Sequence, residues 1–136
     1  MEIDIPPGRG RIRNREFASI LRDFSGLRWG KITPTDIDAF LDFGNKAFVF
    51  VESKFHKTSL QGGQKLALER LVDAAPMPAI LIVAEHECEA GSDIELGNNN
   101  VVQYRLNKRW RKPVKNISVR AAIDAFLVFL KISPPQ

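Results

Sequence analysis

The 136 residues match one ordinary domain, and a balance of 44% hydrophobic to 26% charged residues excludes a disordered chain and a coiled coil. There is no run of about 18 apolar residues, so no membrane span is expected, and the start MEIDIPPGRGRIRNRE lacks the basic-then-apolar order of a signal peptide, which points to the cytoplasm. A net charge of +4 favours a polyanionic partner, and the single Cys88 excludes an intrachain disulfide and a cysteine-built zinc cluster.

In chain order, residues 1–13 carry Pro6-Pro7 and the arginines of GRGRIR, and read either as a flexible basic arm or as an untidy terminus. A domain over residues 14–132 follows. Asn14 is an N-cap for a helix in which Phe17, Ile20, Leu21 and Phe24 recur at helical spacing, and Gly26 closes it. A strand is expected over Thr35 to Phe43, with Ile37, Ala39 and Leu41 on one face and Asp36, Asp38, Phe40 and Asp42 on the other. Gly44-Asn45 is a tight-turn signal, so this strand and the next should form a hairpin. The second strand places Ala47, Val49 and Val51 on one face and Phe48, Phe50, Glu52 and Lys54 on the other, the pattern of a central strand buried on both sides.

Gly62-Gly63 precedes a helix over about Gln64 to Ala75, whose inward stripe is Gln64, Leu68, Leu71 and Ala75. Pro76 and Pro78 end it, and AILIVAEH supplies a third strand. ECEAGSDIELGNNN reads as an exposed acidic loop, VVQYRL as a fourth strand, and NKRWRKPVK as a basic connection. Ser118 caps a last helix with Ala122, Ile123, Phe126, Leu127 and Leu130 on one stripe. The order α, β, β, α, β, β, α describes an α/β fold with a central mixed four-stranded sheet flanked by helices.

Charges at the end of an apolar core strand are costly unless something pairs with them. In a hairpin closed at Gly44-Asn45, Asp38 and Glu52 come from adjacent strands and bring two carboxylates together. With the main-chain carbonyl of Ser53 they form a hard oxygen donor set suited to Mg²⁺ or Mn²⁺. Lys54 leaves the same face two residues later, placed to orient an attacking water and offset charge on a phosphate. The plain alternative is a solvated pair worth under about 1 kcal/mol.

An acidic residue in Pro34-Thr35-Asp36-Ile37-Asp38, a hairpin, then Glu52-Ser53-Lys54 at the end of an apolar strand resembles the PD-(D/E)XK nuclease superfamily, and the element order over Asn14 to His86 is similar to its αβββαβ core. The resemblance implies a Mg²⁺-dependent DNA endonuclease in which Asp38 and Glu52 hold metal, Lys54 positions the water, and Gln64, at the start of the following helix, supports Lys54 or contacts the backbone. It also implies an acidic metal residue on the first helix, for which Glu16 is the candidate. Pro34 and the metal Asp are not adjacent here, so Asp36 is the rival ligand; Asp38 is favoured for its shorter reach to Glu52. The single-domain size is like that of phage and mobile-element members, and compact basic members of the superfamily are often homodimers that act on junctions or branched DNA.

Arg105, Lys108, Arg109, Trp110, Arg111, Lys112 and Lys115 form a run able to clamp phosphates and stack on a base, or else a solvated connection with Trp110 folded into the core. His56 either touches the scissile phosphate or is a loop bystander, and His86, Glu87, Cys88 and Glu89 alternate in direction and make no metal site. Outside enzyme chemistry, the rival expectation is a nucleic-acid-binding or protein-interaction module with a nuclease-like fold and no catalysis.

Overall fold

The computed structural model describes residues 25–87 and 94–134, and the chain divides into two units, Met1–Pro34 and Thr35–Gln136. In the described part of the first unit, Trp29 and Ile32 exchange main-chain hydrogen bonds at 2.9 Å around Gly30, whose φ of 62° suits glycine. The basic arm, its boundary at residue 13, the helix expected from Asn14 and the candidate Glu16 lie outside the described residues.

The second unit is α/β. It runs β1 (Ala39–Asp42), β2 (Phe48–Phe55), α1 (Gly62–Asp73), β3 (Ala79–His86), a short 3₁₀ turn (Leu96–Asn98), β4 (Asn100–Leu106), β5 (Arg109–Arg111) and α2 (Val119–Phe129). The five strands form one sheet in the order β1-β2-β3-β4-β5. Only β2 and β3 are parallel, joined through α1, and the remaining pairs are antiparallel, so the sheet is mixed. No described helix is long and apolar enough to cross a membrane.

The β1–β2 turn forms as its residues require. Gly44 and Asn45 both take φ of 63°, Lys46 N–H donates to the Phe43 carbonyl at 3.1 Å, and Asn45 N–H donates to Asp42 Oδ1 at 2.7 Å. β1 is shorter than the expected Thr35 to Phe43. Its ladder stops at Ala39↔Val51, and the Ser53 N–H that the next step would have used is taken instead by Asp38 Oδ2 at 2.7 Å. A side chain has replaced a backbone partner.

The sheet has five strands rather than four because the basic run itself contains β5. Asn107 and Lys108, at φ of 52° and 63°, make a two-residue turn that pairs Leu106 with Arg109. Such turns need two residues with positive φ, and Asn-Lys supplies them without the usual glycine.

Two apolar layers hold the helices to opposite faces. Val49, Val51, Ile80, Ile82 and Val101 pack against Ile123, Phe126 and Leu127 of α2, which Ser118 caps by accepting from Ala121 N–H at 3.1 Å. Phe50, Leu81 and Val83 pack against Leu68 and Val72 of α1. Val72, not the expected Leu71, is buried beside Leu68, because the stripe follows the four-residue spacing from Leu68. Each such side chain contributes on the order of 1.5–3 kcal/mol when removed from water.

Candidate active site

Strand alternation puts Glu52 on the α1 face of β2, where Phe50 precedes it in the core. It is 4% exposed, a carboxylate at the point where the apolar strand becomes polar. Its Oε1 accepts from Lys54 Nζ at 2.9 Å and from Gln64 Nε2 at 2.9 Å. Its Oε2 is buried and has no hydrogen-bond partner. Leaving a buried carboxylate oxygen unpaired is costly, so this atom calls for a ligand or a reason.

Asp38, the residue before β1, stands near it. The Ser53 N–H bond engages Oδ2 only, which leaves Oδ1 outside that contact. Asp36 is exposed and makes no hydrogen bond to β2, so among the two rival aspartates it is Asp38 that reaches the Glu52 strand. Ser53 links two further elements: its main-chain N–H serves Asp38, while its Oγ accepts from Asn99 Nδ2 at 2.7 Å. Asn99, itself 8% exposed, was not singled out in the sequence, where it sits inside an Asn-rich turn signal.

Burial is the largest influence on the Glu52 carboxyl and pushes it up from its ordinary value; the Lys54 hydrogen bond opposes this, the Asp38 charge adds to the rise, and the Lys54 charge and the Gln64 hydrogen bond pull it down. A bound cation would favour the ionised form of both carboxylates. Glu52 Oε2 lacks any protein partner and the Asp38 charge acts on the same carboxyl; paired carboxylates are the donor chemistry that a hard divalent ion prefers. Among the described residues no group of three or more His, Cys, Asp or Glu side chains is arranged to hold a metal. The acidic set described is therefore the pair Asp38 and Glu52.

The site lies toward the carboxyl end of the parallel β2–β3 pair, the region where ligands gather in α/β sheets. Gln64 brings the first turn of α1 to it, and that turn has no side-chain cap on its amides. Lys54 sits opposite Glu85 in the register.

The basic run is split by the fold. Arg105 makes two hydrogen bonds to Asp73, at 2.9 and 2.8 Å, and Trp110 donates Nε1–H to Glu69 at 2.6 Å with Lys65 and Arg105 over its ring. These two residues tie β4 and β5 to α1, and Trp110 packs against the α1 layer. Lys108 and Arg109 are exposed at the turn, level with Ile80, which is the end of the sheet away from Glu52. From Arg111 the chain returns to pair Ser118 with Asn100, level with Glu85, so exposed Lys112 and Lys115 lie on the stretch leading toward the site's end.

No family model matches the chain, and neither the curated proteins nor the solved structures contain one significantly similar to it.

Proposed function

We propose that the chain is a divalent-metal-dependent phosphodiesterase acting on DNA, of the kind the PD-(D/E)XK resemblance implies, with branched or junction DNA and a homodimer as its more specific form. The observation that carries this reading is Glu52: a buried carboxylate with one oxygen fixed by Lys54 and Gln64 and the other left unpartnered beside Asp38. Asp38 and Glu52, with the Ser53 carbonyl, would hold Mg²⁺ or Mn²⁺. When bound, such an ion supplies Lewis-acid polarisation of a phosphate and a lower pKa for water.

The chain's own groups have separate tasks. Gln64 holds the Glu52 carboxylate in one rotamer, so its second oxygen keeps a fixed direction. Lys54 brings a positive charge to the same carboxylate and, at 24% side-chain exposure, can still meet a water and a phosphate oxygen. Ser53 fixes Asp38 against β2. Lys112 and Lys115 provide phosphate contacts on the side of β5, three strands and roughly 14 Å from β2 at about 4.8 Å per strand.

The pairing of only two carboxylates among the described residues favours, as a second reading, a DNA-binding module without chemistry. Labelled linear duplex, single strand, flap and four-way junction DNAs, incubated with Mg²⁺, Mn²⁺ or EDTA, separate the two. Metal-dependent cutting by wild type that Glu52→Ala abolishes supports the hydrolase. Salt-sensitive binding without cutting, unchanged in Glu52→Ala, favours the module.

A further inference from the structure

One more side chain, just past the end of β2, faces the same way as Glu52 and Lys54. The ladder runs past the strand, since His56 N–H donates to the His86 carbonyl at 2.8 Å, so alternation carries His56 onto the α1 face. Thr58 N–H closes a turn onto the Phe55 carbonyl at 2.8 Å with Lys57 at φ 63°, which fixes the backbone around His56.

The ring is held from one side. Nδ1 is buried and lies 3.3 Å from Glu85 Oε1 and 3.6 Å from Glu87 Oε1, aligned for a hydrogen bond to neither. The side chain as a whole is 39% exposed, so its exposure belongs to the opposite edge, which carries Nε2. Ionised carboxylates only accept, so a proton on Nδ1 is the arrangement that suits Glu85 and Glu87, and it leaves Nε2 turned outward. Glu52, Lys54 and His56 then form a row about 13 Å long between the outer Cα atoms at about 3.3 Å per residue. A phosphate seated over Lys54 would have the carboxylates on one side and His56 on the other.

We propose that His56 is the proton donor to the leaving oxygen of the scissile phosphodiester, with Glu85 and Glu87 as the residues that position its ring. This rests on the phosphodiesterase reading. The water oxygen forms a bond to phosphorus and releases its proton to solvent. The bond from phosphorus to the leaving oxygen breaks, its electron pair stays on that oxygen, and the Nε2 proton of the imidazolium neutralises it. What is left is neutral His56 with its remaining proton on Nδ1, on the side of Glu85 and Glu87. In-line displacement needs the nucleophile and the leaving group on opposite sides of phosphorus, and the row provides two such sides.

The test replaces the leaving oxygen, identified from the ends of the cleavage products, by sulfur, which departs without a proton. His56→Gln is expected to cut the oxygen diester about 10²- to 10⁴-fold more slowly than wild type while cutting the sulfur analogue at close to the wild-type rate. Glu85→Gln, which leaves the imidazole in place, should show a smaller loss confined to the oxygen diester. ¹⁵N NMR of His56 should find the neutral ring protonated on Nδ1. Equal losses on both substrates, or on neither, overturn the donor role and leave the hydrolase reading standing, and a neutral ring protonated on Nε2 overturns the positioning by Glu85 and Glu87. Wild type that cuts neither substrate in either metal overturns both proposals.

Discussion

Gln64 and Glu52 meet at 2.9 Å although one opens α1 and the other ends the buried part of β2. The helix that packs Leu68 and Val72 onto the sheet therefore also sets the direction of the Glu52 carboxylate. Gln64→Ala is expected to cost about 1 kcal/mol of stability, the scale of one lost hydrogen bond with a charged partner still held by Lys54. Its larger effect should be on function, a loss of about 10- to 100-fold in metal affinity or cleavage, as for other residues that orient a ligand. Titrating Mn²⁺ against cleavage rate in wild type and variant reads both, and unchanged metal dependence would remove Gln64 from the site.

Metal binding should be visible without any substrate. An ion that binds only the folded chain adds about 2.7 kcal/mol at a concentration a hundred times its Kd. Mn²⁺ is thus expected to raise the Tm of wild type by several degrees and to leave Asp38→Asn and Glu52→Gln unmoved. An equal rise in all three proteins would place the ion elsewhere.

Without metal, Glu52→Gln should be the more stable protein at neutral pH. The Glu52 carboxyl is raised chiefly by burial, so the folded chain binds more protons than the unfolded chain as pH climbs through the carboxylate range and beyond. Wild-type stability from this group is highest in acid and falls as pH rises through that window. The variant lacks the titration, so its advantage, about 1 kcal/mol or a few degrees in Tm, should appear at pH 7 and shrink toward pH 4. Thermal melts across that range check the sign.

Asp73 behaves in the opposite sense. The Arg105 hydrogen bonds hold its carboxyl below the ordinary range, against a smaller opposing push from burial. Its contribution is present above the unfolded carboxylate pKa and is lost as pH falls through the lower folded value. Asp73→Asn should cost about 1–2 kcal/mol at pH 7, with the pair partly exposed. The gap to wild type should close in acid, which denaturant melts at pH 7 and pH 3 would show.

For DNA, the split basic run gives contrasting variants. Lys112→Ala and Lys115→Ala should each lower the salt dependence of binding by about one unit of slope. Arg105→Ala should instead destabilise the protein, since its guanidinium is bound to Asp73. Binding isotherms at several salt concentrations, beside melts of the same proteins, distinguish the two behaviours.

The central strands were readable because their chemistry is local. Ala47 to Lys54 alternates without interruption, Gly44-Asn45 announces its turn, and Ser118 begins α2 as a cap should. β5 was hidden because Asn107-Lys108 turns without glycine and because RWR looks like surface charge. That Asp38 comes beside β2 near Glu52 followed from the hairpin, although Asp38 lies just before β1 and reaches β2 through its side chain. Asn99 could not be found this way: its partner Ser53 is 46 residues distant, and such a contact arises only when β4 is laid beside β3. The roles of Trp110 and Arg105 were ambiguous for the same reason, since Glu69 and Asp73 lie on a helix far from them in the chain.

The two outer hairpins, β1–β2 and β4–β5, are each closed by a pair of residues at positive φ. The parallel β2–β3 pair can close only after the chain has passed through α1. Loop-closure entropy makes the hairpins early events in folding and that crossover a late one. Glu52 and His56 come from β2 and the turn after it, Gln64 from α1, and Glu85 and Glu87 from β3 and the residue beyond, so no partly folded chain that has formed only its hairpins can assemble the site. The proposed hydrolysis would then be withheld from the nascent protein until that crossover has closed.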